Sequence, residues 1–154
     1  MKTVFTIILF IFCLQIQPQA QTLWGACRIG GTNNLGVIFK IILYGSNYTV
    51  VHSFTGNNGK YPTGHLVQCN DGKIYGVTGE GGVNDAGAIF CIDPLSGNYT
   101  KLYDFNQIDG SGPIGGLLQA NNGKLYGVCG GGPNAGVIFS FDLSSNTYMK
   151  LHEF

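Results

Sequence analysis

Charged residues are scarce in this chain. They make up 10% of its 154 residues, against about 25% in an average soluble domain. Eight basic residues are balanced by eight acidic ones, so the sequence offers no basic surface to attract a phosphate backbone. Nucleic acid is therefore not an expected partner.

A sustained helical period is also missing. No stretch repeats its apolar residues at the spacing of a helix face, and glycines interrupt every candidate window. Glycine accounts for 25 residues, roughly twice the usual share, while apolar residues still make up 44% of the chain. This combination indicates a turn-rich all-β fold rather than disorder.

Long apolar runs are limited to one, at the start of the chain. Lys2 precedes an apolar stretch over residues 4–14, and a short polar segment ends at the small residue Ala20. The run is too short to span a membrane and has the length of the apolar region of a secretory signal. We predict that residues 1–20 are a signal peptide, that no transmembrane segment is present, and that the protein is secreted or held at the cell surface.

The chain contains a repeat of about 50 residues. Trp24-Gly25, Tyr75-Gly76 and Tyr126-Gly127 follow one another at intervals of 51 residues (75 − 24 and 126 − 75). An Ile-Phe motif recurs in the same order at residues 38–39, 89–90 and 138–139. We assign three units, residues 23–54, 64–105 and 115–154, within a repeat region that spans residues 21–154.

Each complete unit is predicted to form four short strands in a meander. Asn70-Asp71-Gly72 is a hairpin signal between the first two strands of the middle unit. The predicted strands of that unit are residues 64–68, 73–78, 87–93 and 99–105. Those of the last unit are residues 115–119, 124–129, 136–142 and 148–154. The first unit has only the second, third and fourth strands, and the segments 55–63 and 106–114, with Pro62 and Pro113, are predicted to connect the units.

The central strands are apolar on both faces, as Ile38 and Phe39 illustrate, so each sheet must be covered on both sides. Radially packed blades satisfy this requirement. We predict an all-β, β-propeller-like array of four-stranded antiparallel blades, of which about two and three-quarters are present. Because propellers have about four blades or more, the array is a fragment, assembles with copies of itself, or forms an open stack. Neither end has a polar capping face, so residues 21–154 alone are expected to self-associate or to stay partly unfolded.

The four cysteines after the signal are expected to be free and mostly buried. An even number in an exported chain suggests disulfides, but Cys27 and Cys129 share one position two units apart. Cys69 and Cys91 fall on strands separated by a third, about 9–10 Å apart at the usual strand spacing, and a disulfide spans at most about 7 Å between Cα atoms.

The repeat motifs are an aromatic-glycine pair, a glycine and asparagine loop, an Ile-Phe strand, Asn-Tyr-Thr and Ser-Phe, found for example at residues 74–78, 81–87, 88–90, 47–49 and 52–54. In these motifs the sequence resembles the GloVer-type tandem repeat of exported bacterial proteins, over essentially all of residues 23–154. The resemblance implies a secreted or surface-exposed propeller-like array in Gram-negative bacteria. It implies no catalytic residues.

The glycine-rich loops of the three units are expected to emerge on one face of the array. Their polar residues are the candidate ligand-binding residues Asn33, Asn34, Asn84, Asp85 and Asn134. These side chains could hydrogen-bond sugar hydroxyls or coordinate Ca²⁺, and the same residue types also form turns simply because they tolerate positive φ. Asp85 is the only carboxylate among them, so no metal site and no cofactor are assigned.

Other residues with possible chemistry are better explained by packing. Trp24, Tyr75 and Tyr126 could stack on sugars, but the glycine after each favours packing between blades. His52 and His152 share a position with Tyr103, which also favours packing. Glu80 is the one acid without a counterpart in the other units, and a lone loop glutamate is usually solvated.

We therefore predict a secreted or cell-surface, non-catalytic module that presents its loops to a glycan or a protein, or to further copies of the repeat. The alternative is an accessory domain or fragment of a larger extracellular polysaccharide-degrading enzyme. Further repeats, a sorting domain or a catalytic domain encoded after Phe154 would distinguish the two.

Overall fold

The structure, a computed structural model, describes residues 21–42 and 47–154. This part of the chain forms eleven β-strands and no helix, so it also contains no helix with the length and apolar character of a membrane span. The signal peptide predicted for residues 1–20 lies outside the described residues.

The strands form three antiparallel sheets, and each sheet is a simple meander. The first sheet consists of β1 (Thr22–Cys27), β2 (Val37–Ile42) and β3 (Asn47–Ser53). The middle sheet consists of β4 (Lys60–Gln68), β5 (Ile74–Glu80), β6 (Ala88–Ile92) and β7 (Tyr99–Asp104). The last sheet consists of β8 (Ser111–Gln119), β9 (Leu125–Gly131), β10 (Val137–Asp142) and β11 (Thr147–Glu153). The prediction of three strands in the first unit and four in each of the others is confirmed.

The strands that open the middle and last sheets begin earlier than predicted. β4 and β8 include Pro62 and Pro113, which pair with the second strand of their sheets. The prediction that these prolines lie in connections is therefore wrong. Each proline is tolerated because its strand is the edge of the sheet, where a missing N–H interrupts no ladder on the open side. The connections are the shorter segments 54–59 and 105–110.

Each of these prolines packs against the sheet before its own. A Cβ atom built on Gly36, which closes the loop of the first sheet, would lie 2.5 Å from Cδ of Pro62. A Cβ on the equivalent Gly87 would lie 2.7 Å from Cδ of Pro113. A glycine without a side chain thus forms a seat for the proline of the following unit.

The middle sheet is buried on both faces. Ile38 and Phe54 of the first unit pack with Phe90 and Ile92 on one face. The opposite face shares a larger core with the last sheet, built from Tyr75, Val77, Ile89, Cys91, Leu117, Leu125, Phe139, Phe141 and their neighbours. All five residues of β6 are buried, as the apolar pattern on both faces predicted.

The predicted packing positions are confirmed where a following sheet is present. Tyr75 is buried between the middle and last sheets, and Trp24 is partly buried between the first and middle sheets. His52 stacks on Tyr99 of the next sheet. Tyr126 lies on the last sheet, where it is only partly buried.

The first strands of the middle and last sheets cross at glycine. A Cβ atom on Gly64 would lie 2.1 Å from the backbone nitrogen of Gly116. Both residues have positive φ, +67° and +84°, in the region that side chains disfavour. Both strands also shift register here, between Thr63 and Val67 and between Ile114 and Leu118.

The four cysteines among the described residues are free, as expected. Cys69, Cys91 and Cys129 are buried, and burial raises the pKa of the Cys129 thiol to about 12. Cys27 is exposed because β1 is an edge strand, and residues 21–42 and 47–154 supply no further strand beside it.

Candidate functional site

The three glycine-rich loops follow β1, β5 and β9 and lie at one end of the array, next to the connections between sheets. In the middle sheet, the backbone nitrogen of Gly82 donates to the carbonyl of Gly56 at 2.8 Å, which ties the loop to the preceding connection. We call this end the loop end; it comprises the loops 28–36, 81–87 and 132–136 and the connections 54–59 and 105–110. The hairpin turns lie at the opposite end.

Two of the candidate asparagines hold their loops in place. Asn33 Nδ2 donates to the carbonyl oxygen of Phe54 at 3.2 Å. Asn84 Nδ2 donates to the carbonyl of Phe105 at 3.0 Å. Each bond fastens a loop to the end of its own sheet, so these amides already have internal partners.

The other three candidates also take part in turn structure. Asn134 donates to Glu153 Oε1 from its backbone nitrogen at 3.1 Å and from Nδ2 at 2.9 Å. Asn34 and Asp85 have left-handed backbones, with φ of 57° and 55°. The turn interpretation thus accounts for all five residues, while their role in ligand binding stays a prediction.

Five residues in the loop end or at the strand ends that border it depart from the repeat. They are Arg28, Lys60, Tyr61, Glu80 and Asp85. Arg28 stands where the other units have Gly79 and Gly130, and Glu80 stands where they have Ile29 and Gly131. Lys60 and Tyr61 correspond to Ser111 and Gly112 of the last unit, and Asp85 corresponds to Asn34 of the first. We call these five the loop-end cluster. Residues common to all units serve the packing that all units share, so a group of departures in one place points to a role other than packing.

The side chains of the loop-end cluster contact one another across the first and middle sheets. Lys60 Nζ lies 3.1 Å from Glu80 Oε2 and 3.1 Å from Asp85 Oδ1. Arg28 Nη2 lies 4.0 Å from Glu80 Oε1. Glu80 therefore ends β5 in an ion-pair network rather than in a loop, and its side chain is 45% exposed, so the expectation that it is solvated holds while its ion pairs were not foreseen.

The one aromatic ring of the cluster lies beside both cations. Arg28 Cζ is 4.9 Å from the ring centre of Tyr61, and Lys60 Nζ is 5.7 Å from it. Both distances are within the range of cation–π attraction. The side chains of Arg28 and Asp85 are more than half exposed, so a donor and an acceptor face solvent near this ring.

Charge pairing shifts two pKa values in the cluster. Hydrogen bonds to Asp85 and then to Glu80 raise the pKa of Lys60. The bond from Lys60, followed by one from the backbone nitrogen of Gly81, lowers the pKa of Asp85. Both groups therefore stay charged at neutral pH. Exposed ion pairs of this kind add little to stability, which leaves stability a poor explanation for the cluster.

Tyr61 has a strained backbone. Its φ is +55°, in the left-handed region where a bulky side chain is an outlier. Gly112, at the same position in the last unit, has φ +58° without that strain. A tyrosine at a position whose conformation suits glycine indicates that the side chain itself is needed.

Sequence reasoning singled out Glu80 and Asp85 but missed Arg28, Lys60 and Tyr61. The signal was a difference between aligned units, for example tyrosine in place of Gly112. The five residues come together only because the first sheet packs on the middle one, and the sequence does not show that packing. Among residues 21–42 and 47–154, no three His, Cys, Asp or Glu side chains come together as metal ligands.

Comparisons with known proteins identify the repeat and the fold. The Gloeobacter/Verrucomicrobia repeat matches residues 13–154. Two similar solved structures are a puromycin-hydrolyzing peptidase of Mycobacterium tuberculosis, at 14% identity and TM-score 0.53, and TolB from Acinetobacter baumannii, at 17% identity and TM-score 0.51. Each comparison covers 77% of this chain but only 17% and 27% of those chains, so the likeness shows a propeller-like fold alone. No curated protein matches the sequence.

Proposed function

Because the chain belongs to the Gloeobacter/Verrucomicrobia repeat family, we propose that it is an exported, non-catalytic binding module whose recognition site is the loop-end cluster. The observation that carries the proposal is the convergence at one place of five departures from the repeat, Arg28, Lys60, Tyr61, Glu80 and Asp85. Arg28 and Asp85 are more than half exposed there, while Lys60 and Tyr61 are partly buried. The signal-like segment 1–20 supports export.

The chemistry of the cluster suits an extracellular glycan. A tyrosine ring offers a flat apolar face for the C–H face of a sugar, and its hydroxyl can bond to sugar hydroxyls. Arg28 supplies planar donors and Asp85 supplies acceptors beside this ring. With two cations and two carboxylates the cluster carries no net charge, which favours a neutral or zwitterionic glycan over a polyanion.

The test uses a variant that restores the repeat. Tyr61→Gly introduces the residue of the equivalent position 112 and removes the strain at φ +55°. We therefore expect it to fold at least as stably as the wild type while it loses glycan binding by about tenfold or more. Leu95→Ser is the matched control, because Leu95 is fully solvent-exposed in a turn at the opposite end.

The measurement is a glycan array, followed by pull-down of envelope polysaccharides at physiological salt. Retention by the wild type and Leu95→Ser, with loss in Tyr61→Gly, supports the proposal. A folded wild type that retains no glycan contradicts it and favours a structural spacer. Equal binding by Tyr61→Gly and the wild type would exclude the loop-end cluster as the recognition site.

A further inference from the structure

The first and last sheets each present an apolar face that no other described part of the chain covers. On the last sheet this face includes Leu118, Val128, Leu151 and Phe154. On the first sheet it includes Leu23, Phe39, Tyr48 and Val50. The two internal interfaces show what such faces pack against.

Both internal interfaces contain the same edge-to-face pair of phenylalanines. Phe54 of the first unit is fully buried and meets Phe90 of the middle sheet with ring centres 5.6 Å apart. Phe105 of the middle unit is also fully buried and meets Phe139 of the last sheet at 5.2 Å.

A stacked pair of rings lies beside each phenylalanine pair. His52 stacks on Tyr99 with ring centres 3.8 Å apart and planes 5° apart. Tyr103 stacks on Tyr148 at 4.3 Å and 3°. Each interface therefore joins two rings at the end of one sheet to a phenylalanine and a tyrosine of the next.

The uncovered faces carry the two halves of this arrangement. His152 and Phe154 stand on the last sheet at the positions of His52 and Phe54, and Phe154 is 68% exposed. We call His152 and Phe154 the donating half, because their counterparts His52 and Phe54 pack onto the following sheet.

The receiving half is already assembled on the first sheet. Phe39 and Tyr48 have ring centres 5.4 Å apart, and Tyr48 is 54% exposed. The corresponding pairs inside the array, Phe90–Tyr99 and Phe139–Tyr148, have ring centres 5.5 and 5.4 Å apart.

We propose that the last sheet of one copy docks on the first sheet of a second copy. Phe154 of one copy packs against Phe39 and Tyr48 of the other, and His152 stacks on that Tyr48. A second copy is the fitting occupant because both complementary halves belong to one chain. No unpaired carboxylate is buried, since Glu153 is already paired with Lys150 at 2.8 Å.

Such a contact is head-to-tail, so it closes into a ring or continues as a chain of copies. Two copies of three sheets make six blades, which lies within the range of about four to eight for closed propellers. The junction is smaller than an internal interface, because within the described part of the chain the first sheet has no strand that corresponds to β4 and β8. Assembly is therefore expected to depend on concentration.

The experiment uses residues 21–154, the chain without the predicted signal peptide, and two single variants of it, Tyr48→Glu and Phe154→Glu. Each introduces a charge on one face only, at an exposed side chain, so both are expected to keep the wild-type circular dichroism spectrum and to melt like the wild type at concentrations low enough to leave it monomeric. Leu95→Ser, at an exposed turn away from both faces, is the control. Sedimentation velocity is measured over a range of micromolar concentrations.

The wild type and Leu95→Ser are expected to associate, and each glutamate variant alone is expected to dissociate at least tenfold more readily. An equimolar mixture of the two variants keeps one intact junction, so it is expected to form a dimer and nothing larger. A monomeric wild type would overturn the proposal. So would single variants that still associate like the wild type, or a mixture that stays monomeric.

Discussion

The crossing of β4 and β8 depends on the absence of single side chains. Gly64 and Gly72 have similar positive φ, +67° and +81°, but a Cβ on Gly64 would overlap Gly116 while a Cβ on Gly72 meets open space. A substitution at Gly72 therefore measures the cost of the left-handed backbone alone, and a substitution at Gly64 measures that cost together with steric overlap.

We expect Gly72→Ala to lower the free energy of unfolding by about 1–2 kcal/mol, the usual cost of left-handed backbone in an L-residue. Gly64→Ala adds overpacking of about 1–3 kcal/mol to that cost. Urea denaturation of both variants measures the difference. Equal losses would show that the two strands do not approach each other as closely as described.

These residues also mark a limit of sequence analysis. Glycine at positions 64 and 116 is visible in the sequence, but so are Gly30, Gly72, Gly115 and Gly123, where an added Cβ atom would meet nothing within 4 Å. Which of them lie at a crossing is decided by the packing of one sheet on another, to which residues about 50 positions apart contribute. The strain at Tyr61 was hidden for the same reason, because only the fold shows that its position suits glycine.

The carboxylate of Asp142, in the turn after β10, is expected to make the stability of the fold depend on pH in the acid range. Asp142 Oδ1 accepts bonds from the hydroxyl of Ser144 at 2.6 Å and from its backbone nitrogen at 2.9 Å. These bonds, with a smaller effect of Lys124, lower the pKa of Asp142 to about 2. A carboxyl whose pKa is lower when folded stabilises the fold above its unfolded pKa of about 3.9, and this contribution is lost as the pH falls toward 2.

We expect Asp142→Asn to flatten this dependence. The wild-type urea midpoint should fall more steeply than that of the variant between about pH 5 and pH 2.5. Ser144→Ala, which removes the hydroxyl bond but keeps the carboxyl, should give an intermediate slope. Parallel profiles for all three proteins would mean that the turn does not hold Asp142 in its charged form.

At the scale of strands, the sequence predicted the order of the strands well and their first and last residues less well. The recurring apolar segments and the Asn70-Asp71-Gly72 turn located the strands of the middle sheet to within a few residues, except for the start of its first strand. The starts of β4 and β8 were missed because Pro62 and Pro113 imply a break in a strand. An edge strand accepts proline, and only the sheet order shows which strand is the edge.

The three sheets differ in how many of their faces are covered, and this should set their local stability. All of β6 is buried, whereas β3 and β11 are largely exposed or partly buried. Segments with few buried contacts open at lower free energy than the core.

We expect hydrogen exchange to be slowest in β5 and β6 and fastest in β3 and β11 when the Phe154→Glu variant is measured at low concentration. This variant keeps both outer faces uncovered if copies associate through them. In the wild type at high concentration, protection should rise in β3 and β11. Uniform exchange across all sheets would contradict the unequal burial described above.

The three-sheet plan followed from the repeat, since a period of about 50 residues with both faces apolar leaves few arrangements other than blades. The site did not follow, because the loop-end cluster exists only where the first sheet lies on the middle one. Asp85 was found through its residue type. Arg28 and Tyr61 each differ from their counterparts in the other units, but nothing in the sequence indicates that the two residues meet.

The seat that Gly36 offers to Pro62, and Gly87 to Pro113, also constrains how such a gene can change in length. Duplication or loss of one whole unit of about 50 codons leaves each glycine that is followed by a further unit facing a proline. A duplication that breaks inside a unit leaves a proline without its glycine, or a glycine facing a side chain that does not fit. Changes in length that keep the contacts between glycine and proline are therefore changes by whole units.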